Sequence, residues 1–259
     1  MRRILIATSN PGKLRDFAGA AAAHEIEIGG IPNFASLPPV VEDGLTFEEN
    51  ARKKAEEYSR HAVGEIVVAD DSGLEVDALN GAPGVHSARY AAEAPHLANE
   101  NTDDEANNAR LLRELRKVSS EKRTGRFVCV LAAARDGKTL ATFRGTAEGV
   151  ILDSPRGTGG FGYDPLFYFP QIQKTFAELS AEEKTKYSHR GAAFRMFMEW
   201  CEALRGGSTT PLAQAGSRFL PSVGMTSFFR ERSSLILLES DSATVHPLPF
   251  LDFTSLCAR

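Results

Sequence analysis

Residues 4–13 read Ile-Leu-Ile-Ala-Thr-Ser-Asn-Pro-Gly-Lys, an apolar run that passes directly into a short polar loop ending in a lysine. The apolar part predicts a β-strand over residues 3–7, and the spacing of apolar residues over 12–23 predicts a helix. The loop between them offers backbone N–H groups, hydroxyls, an amide and an ammonium group, all of which bind phosphate oxygens. We therefore expect a strand–loop–helix unit with a phosphate-binding loop.

This loop departs from the Walker pattern of P-loop proteins. That pattern requires a glycine, four residues, and then Gly-Lys followed by a serine or threonine. Ala7 stands where the first glycine belongs, and Leu14 replaces the hydroxyl that would hold magnesium. A P-loop kinase or NTPase is therefore disfavoured, and a metal bound with a nucleotide would need carboxylates elsewhere in the chain.

The composition narrows the class of protein. With 259 residues, 42% of them apolar, the chain can bury a full core. Its net charge of −4 argues against a general nucleic-acid partner. Its three cysteines contain no Cys-x-x-Cys pair, which favours a reducing compartment. No signal-peptide pattern and no apolar run of about 18 residues is found, so we expect a cytoplasmic protein without a membrane partner.

Strand and helix signals alternate along the chain up to Gly206, which predicts an α/β fold. A strand is expected over residues 65–70, and Asp136-Gly137 indicates a hairpin between residues 127–134 and 139–151. Since βα units give parallel strands and hairpins give antiparallel ones, we expect a mixed sheet flanked by helices.

Helix starts are indicated by polar signals. Thr46-Phe-Glu-Glu49 and Thr102-Asp-Asp-Glu105 both match a capping box, and Ser188 is a plausible N-cap of the last helix. The first of these helices is expected to end near Arg60. The apolar residues expected to face the core are Leu111, Leu112, Leu115 and Val118 on the second helix and Phe194, Phe197, Cys201 and Leu204 on the last.

The composition changes at Gly206-Gly207. Residues 208–259 are rich in Ser, Pro, Phe and Leu, and they show no sustained period of 2 or 3.6. We therefore predict one domain over residues 1–206 and a C-terminal appendage over residues 207–259, to which the sequence assigns no function.

Asp70-Asp71-Ser72-Gly73 follows the strand predicted at residues 65–70. Adjacent residues of a strand point to opposite faces, so the two carboxylates can share one site only if the chain turns here. Ser72-Gly73 is expected to supply that turn. One acid could then bind a hard cation while the other orients it or a water. An ordinary polar turn that ends a strand is the alternative.

A second candidate acid, Glu42, precedes Gly44 and the helix that carries Asn50 and Lys54. Asn50 and Lys54 are four residues apart and therefore lie on one helical face. They could act together with Glu42 at a ligand. The alternative for Lys54 is a solvated surface lysine.

Residues 157–165 form a glycine-dense loop that contains Phe161 and Asp164. Glycine lets a backbone approach a ligand closely, and Phe161 could lie flat against a base. A tight turn around a buried phenylalanine is the alternative.

His189 and Arg190 lie in the first turn after Ser188, where cations oppose the helix dipole. An arginine there could donate two hydrogen bonds to O6 and N7 of a 6-oxopurine, as arginine does when it reads guanine.

Taken together, these motifs resemble the inosine triphosphate pyrophosphatase family, which acts on deaminated purine nucleotides. The similarity covers residues 1–205. Its motifs are Thr8 to Lys13, Glu42 to Lys54, Asp70 to Leu74, Gly81 to Gly84, Ser87 to Tyr90, Gly159 to Asp164, Lys184 and Ser188 to Arg190.

The resemblance implies hydrolysis of ITP, dITP and XTP to the monophosphate and pyrophosphate with Mg²⁺. It also implies an elongated, two-lobed α/β fold with the nucleotide in the cleft between the lobes, and a homodimer. By resemblance, Asp71 is the general base, Glu42 and Asp71 hold the metal, and Asp70 supports them. The substrate-binding residues implied are Thr8, Ser9, Asn10, Pro11, Gly12, Lys13, Lys54, Ser72, Phe161, Gly162, Tyr163, Asp164, Lys184, His189 and Arg190.

Two alternatives to this function remain. A pyrophosphatase of the septum-formation-inhibitor (Maf) class would act on other modified nucleotides, but the Ser-His-Arg element and the Gly-Phe-Gly-Tyr-Asp loop argue against it. A nucleotide-binding regulator without catalysis is disfavoured because Glu42, Asp70 and Asp71 are all present.

Overall fold

The structure, a computed structural model, describes residues 3–8, 10, 13, 17, 21, 27–92 and 101–205. Its strands are β1 Arg3–Ile6, β2 Glu27–Gly30, β3 Ile66–Val76, β4 Thr124–Arg135, β5 Lys138–Ile151, β6 Phe167–Phe169 and β7 Lys174–Thr175. Its helices are α1 Phe47–Ser59, α2 Asp104–Leu115, α3 Ala181–Tyr187 and α4 His189–Arg205. Short 3₁₀ turns, including one over Gly84–Arg89, connect them.

The strands form one mixed seven-stranded sheet in the order β2-β1-β3-β4-β5-β6-β7. β1 is parallel to both of its neighbours, whereas every pair from β3–β4 onward is antiparallel. At the β4–β5 hairpin, Asp136 and Gly137 both have positive φ (51° and 78°), as a two-residue type I′ turn requires. The predicted α/β class, mixed sheet and hairpin are confirmed.

The two faces of the sheet are covered by different helices. On one face, α1 buries Ala51 and Ala55 against strand residues such as Val67. On the other face, α4 buries Phe194 and Phe197 among residues from β1, β3 and β4. The sheet is therefore buried on both sides, which explains why the first part of β3, from Ile66 to Ala69, is continuously apolar.

The expected core residues are confirmed with one exception. Leu111, Leu115, Phe194, Phe197 and Cys201 are buried, and Leu112 and Val118 pack on the core while partly exposed. Leu204 was expected to be buried, but 47% of it is exposed. It belongs to the last turn of α4, beyond the residues that pack on the sheet.

The turn expected at Ser72-Gly73 is wrong. β3 continues to Val76 and pairs with β4 without a break from Val67 to Val76. Hydrogen bonding to a partner strand distant in sequence therefore overrides the local turn preference of a Ser-Gly pair. As a result, Asp70 and Asp71 lie within a regular strand and point to opposite faces.

The helix starts agree with the sequence at two of three positions. At α1 the Thr46 hydroxyl accepts from the Glu49 N–H, and the Glu49 carboxylate accepts from the Thr46 N–H, which is the predicted capping box. At α4 the Ser188 hydroxyl accepts from the Gly191 N–H at 3.0 Å, as expected of an N-cap.

The capping box predicted at Thr102 is wrong. The N-cap of α2 is Asp103, whose carboxylate accepts from the Glu105 N–H. The Thr102 hydroxyl instead donates to the buried side chain of Asn107 at 2.7 Å. The helix therefore begins one residue later, at a residue type that caps at least as well as threonine.

Two predictions extend beyond the described residues. Of the helix predicted over residues 12–23, Lys13, Phe17 and Ala21 are described and are helical. The appendage over residues 207–259 lies outside the described residues, so the division at Gly206 stays a prediction. None of the helices that the structure describes is both long and apolar enough to cross a membrane.

Candidate active site

A cleft of about 770 Å³ lies where β1 ends and β3 continues. β1 pairs with β3 only from Ile66 to Val68, and the Ala7 N–H donates to the Val68 carbonyl at the end of this pairing. Beyond Val68 this edge of β3 is not covered by β1. Asp70 and Asp71 both line the cleft there although they point to opposite faces. The sequence predicted that a turn would bring Asp70 and Asp71 into one site. Both do line one cleft, but they reach it from the edge of β3 that β1 leaves uncovered.

On one face of β3, Asp71 lies against α1. Its carboxylate accepts from the Asn50 side chain at 3.1 Å and lies 3.4 Å from the Lys54 ammonium group. The same ammonium lies 2.9 Å from the Glu42 carboxylate. Asn50 also accepts from the Gly44 N–H at 2.8 Å, which ties the Glu42 loop to the helix. The predicted shared face of Asn50 and Lys54 therefore points at two carboxylates.

Lys54 is a buried residue, with 9% of its surface exposed, so the alternative of a solvated surface lysine is wrong. Burial disfavours its charged form, but the Asp71 and Glu42 carboxylates together raise the pKa of Lys54 above its usual value. Burial also raises the pKa of Asp71 to about 6, with Lys54 opposing the shift and Glu42 adding to it. One charged lysine thus balances the carboxyl groups of Asp71 and Glu42.

On the other face of β3, Asp70 is surrounded by donors. Lys13 contacts its carboxylate at 2.9 Å, Arg190 lies 3.7 Å away, and the Ser72 hydroxyl donates at 3.3 Å. Burial raises the pKa of Asp70, but Lys13 and Arg190 outweigh it and hold the pKa well below its usual range. Asp70 is therefore a permanent anion that holds the two cations in place.

The first turn of α4 brings His189 and Arg190 to the cleft. The Arg190 guanidinium donates to the Ser72 hydroxyl at 3.0 Å and lies 5.8 Å from the centroid of the Phe161 ring. The His189 ring stacks on Phe127 at 4.8 Å with an interplanar angle of 15°. Burial, reinforced by Arg190, lowers the pKa of His189 well below its usual value. The expectation of two cations in this turn is corrected, because His189 is neutral.

The glycine-dense loop is built around a buried acid. Asp164 accepts from Lys184 at 2.7 Å and from the Phe161 N–H at 3.1 Å. Burial raises the pKa of Asp164, and the Lys184 ammonium opposes that rise. The Tyr163 hydroxyl donates to the Ser87 carbonyl at 2.8 Å. Phe161 itself is 37% exposed and lines the cleft, so the alternative of a buried phenylalanine is wrong.

The structure collects the described site residues in this one cleft. Those that line it are Thr8, Asn10, Lys13, Glu42, Lys54, Asp70, Asp71, Ser72, Phe161, Gly162, Tyr163, Asp164, Lys184, His189 and Arg190. Ser9, Pro11 and Gly12 lie outside the described residues. In the phosphate loop, the Thr8 hydroxyl accepts from the Asn10 N–H, and the Asn10 side chain accepts from the Lys13 N–H, each at 3.2 Å.

Arg89 and Asp104 line the cleft but are missing from the predicted site. Arg89 donates to the Glu42 carbonyl at 3.1 Å and so supports the loop that carries this acid. Arg89 belongs to the Ser87–Tyr90 motif, for which no role was predicted. Asp104 accepts from the Gly162 N–H at 2.6 Å. No sequence signal identifies Asp104, because this contact joins segments that are far apart in the chain.

No group of three or more histidine, cysteine or acidic residues converges on a possible metal position within the described part of the chain. Glu42 and Asp71 nevertheless form a pair of oxygen donors around one charged group, Lys54. Hard cations such as Mg²⁺ are bound by one or two carboxylates together with waters and substrate phosphates. The donor set therefore fits a magnesium ion that binds with its substrate.

The model of the Ham1 family matches residues 4–200. The chain belongs to the Ham1 family. Curated relatives include two named dITP/XTP pyrophosphatase. One, from Acidobacterium capsulatum, is 52% identical over 196 residues, 75% of this chain and 96% of that protein. Another, from Geobacillus kaustophilus, is 49% identical over 207 residues, 80% of this chain and 98% of that protein.

Solved structures of the Ham1 family share this fold. The Staphylococcus aureus Ham1 protein superposes with a TM-score of 0.65 at 42% identity, over 78% of this chain and all of that one (100%). A HAM1 protein from Coxiella burnetii gives a TM-score of 0.67 at 37% identity, over 78% of this chain and 99% of that one. The family predicted from the motifs is confirmed, and its members include the pyrophosphatases named above.

Proposed function

We propose that this protein hydrolyses the deaminated purine nucleotides dITP, ITP and XTP to the monophosphate and pyrophosphate, and so removes them from the nucleotide pool. The observation that carries the proposal is that one cleft joins Glu42 and Asp71, three lysines, an aromatic face and a buried arginine. Each is a part that a nucleoside triphosphate site needs. The relatives named dITP/XTP pyrophosphatase support the choice of substrate.

Glu42 and Asp71 are the proposed magnesium ligands. Their carboxylates already share a positive charge, that of Lys54. The bound metal would lower the pKa of a water molecule and neutralise charge on the phosphates. Asn50 holds the Asp71 carboxylate and the Glu42 loop from one helical position.

The triphosphate is proposed to bind between the phosphate loop and α1. The loop residues assigned to this task are Thr8, Ser9, Asn10, Pro11, Gly12 and Lys13. Lys13 and Lys54 are held at the cleft by Asp70 and Asp71 before substrate arrives. Catalysis of phosphoryl transfer depends mainly on such positioning and on charge neutralisation.

Cleavage between the α- and β-phosphorus releases pyrophosphate, and in this proposal the water attacks the α-phosphorus. We assign Asp71 as the group that accepts the proton of this water at a carboxylate oxygen. A bond then forms between the water oxygen and the α-phosphorus, while the bond from that phosphorus to the bridging oxygen breaks and pyrophosphate leaves. In the absence of metal, burial raises the pKa of Asp71 to about 6. The bound metal would lower the pKa of the attacking water, which favours transfer of its proton to the carboxylate.

The base is proposed to lie against Phe161, with Arg190 at its 6-position. Arg190 can donate to O6 and N7 of a 6-oxopurine, and Asp70 and Ser72 hold it in place. Adenine presents an amino donor at the 6-position, so two donors would face each other. Such mismatches exclude an analogue by large factors. Asp164, through Lys184 and the Phe161 N–H, supports the same pocket.

A panel of substrates tests this function. We expect pyrophosphate from dITP and XTP in the presence of Mg²⁺, little from dGTP or dATP, and none with a chelator. Orthophosphate as the product, or equal rates on all four bases, would overturn the proposal.

The homodimer and the cytoplasmic location stay predictions, and light scattering of the purified protein addresses the first of them.

A further inference from the structure

Phe161, which the glycine-dense loop presents to the cleft, lies between two glycines. Gly160 and Gly162, on either side of Phe161, both have positive φ (82° and 60°). A side chain added at Gly162 would meet no atom within 4 Å, so its glycine serves the backbone conformation. Because glycine can adopt many backbone conformations, the direction of the Phe161 ring depends on the contacts that hold its two flanking peptides.

Two of those contacts come from one face of α2. The Asp104 carboxylate accepts from the Gly162 N–H at 2.6 Å, and the Asn108 side chain donates to the Gly162 carbonyl at 3.0 Å. Asp104 and Asn108 are four residues apart and so lie side by side on the helix. Together they satisfy both backbone groups of Gly162, and they fix the peptide unit on each side of it.

The other peptide next to Phe161 is fixed as well. The Phe161 N–H donates to Asp164 at 3.1 Å. The two peptide units that flank Phe161 are thus each held by a carboxylate, Asp164 before it and Asp104 after it. The ring lies 5.7 Å from the Lys184 ammonium and 5.8 Å from the Arg190 guanidinium, the cations assigned to the base pocket.

The contact of Asn108 with the Gly162 carbonyl is accompanied by a loss of stability elsewhere in the same side chain. Its side-chain oxygen is buried and has no hydrogen-bond partner among the described residues. A buried acceptor without a partner destabilises the fold, so this residue is a poor choice for stability alone. A task at Gly162 accounts for its presence.

We propose that Asp104 and Asn108 are positioning residues that hold Phe161 in the orientation that recognises the purine. This inference rests on the proposed function, in which the base lies against Phe161. Neither residue is assigned to the reacting phosphate. Their loss should therefore weaken binding of the base and leave the triphosphate site and the chemical step intact.

Steady-state kinetics with dITP test the inference on Asp104→Ala, Asn108→Ala and Asp104→Asn. We expect each alanine variant to raise KM for dITP about tenfold, the size of one lost hydrogen bond to an ordered group, with kcat within about twofold. Asp104→Asn keeps an acceptor for the Gly162 N–H and should recover most of the loss. Glu105→Ala, at the exposed neighbouring position, is the matched control and should behave as wild type.

Inorganic tripolyphosphate, which has no base, separates positioning from general damage. Its inhibition constant should stay unchanged in all variants. The inference is overturned if the alanine variants keep the wild-type KM, or if KM and the tripolyphosphate constant rise together. A wild-type enzyme that releases no pyrophosphate from dITP overturns the proposed function itself, and this inference with it.

Discussion

Asp70 and Asp71 are neighbours on β3, yet their surroundings shift their pKa values in opposite directions. Both are buried, and burial raises the pKa of each. At Asp70 the contacts with Lys13 and Arg190 outweigh burial, so its pKa falls. Asp71 shares its one lysine with Glu42, so burial prevails and its pKa rises to about 6. Such opposed shifts assign different tasks to two carboxyl groups. Asp70 is a fixed anion, and Asp71 can exchange a proton.

Replacement of Asp71 tests its assignment as base. We expect Asp71→Asn to lower kcat for dITP by about 10³-fold or more, because both the proton acceptor and a metal ligand are lost. Binding of dITP, measured by calorimetry, should change only a few-fold, since Lys54 and the base pocket remain. Asp153→Asn, at an exposed acid that does not line the cleft, is the control. Substantial turnover by Asp71→Asn would refute the role.

Although Asp71→Asn should lower activity, we expect it to raise the stability of the fold, and this gain should depend on pH. The folded-state pKa of Asp71, about 6, exceeds the ordinary value, so ionisation of this group destabilises the fold above pH 6. With chelator present, we expect Asp71→Asn to be more stable than wild type at pH 7.5 by about 1–2 kcal/mol. The difference should shrink as the pH falls through 6, and thermal unfolding at several pH values measures it.

Asp70→Asn should change the stability of the fold in the opposite direction to Asp71→Asn. The folded-state pKa of Asp70 is lowered, so its ionised form stabilises the fold above the ordinary aspartate pKa. That stability is lost only as the pH falls toward the lowered value. Asp70→Asn should therefore be less stable than wild type at neutral pH. If both variants shifted in the same direction at pH 7.5, the account of the two environments would be wrong.

Lys54 lies between the two proposed metal ligands and should compete with the metal. We expect Lys54→Met to bind Mg²⁺ about tenfold more tightly than wild type in the absence of nucleotide, because a positive charge next to both carboxylates is removed. Its kcat/KM for dITP should fall, since the triphosphate loses a cation. Calorimetry with MgCl₂ measures the first effect. Lys53→Met, one position earlier and exposed, is the control; equal or weaker Mg²⁺ binding by Lys54→Met would contradict the arrangement.

Arg190 is assigned to reading the 6-position of the base. We expect Arg190→Ala to lose about 10- to 100-fold of the preference for dITP over dATP in kcat/KM, the value of one bidentate contact to a purine edge. Arg195→Ala, at an exposed arginine of the same helix, should leave the preference unchanged. Full retention of the preference by Arg190→Ala would show that other groups read the base.

The sequence predicted the site better than it predicted the backbone that forms it. Asp70, Asp71, Glu42 and Lys54 were recognised from local patterns of charged residues after a strand and on a helical face. The turn at Ser72-Gly73 was wrong, because the pairing of β3 with β4 depends on a strand far along the chain.

Contacts between distant segments account for the other omissions. Asp104 contacts Gly162, 58 residues later, and nothing in either segment indicates that they meet. The neutral state of His189 also could not be predicted, because it results from burial against Phe127 and from the neighbouring Arg190. Local patterns thus identify the chemical groups, whereas non-local packing sets their orientation and ionisation.

The central claim is that a water beside Asp71 attacks the α-phosphorus. Hydrolysis of dITP in H₂¹⁸O, with the products analysed by mass spectrometry, tests it most directly. The account predicts that one ¹⁸O atom per turnover is found in dIMP and none in pyrophosphate. Label in pyrophosphate would mean attack at the β-phosphorus, and labelled orthophosphate would mean attack at the γ-phosphorus. Either result would contradict the proposed chemistry.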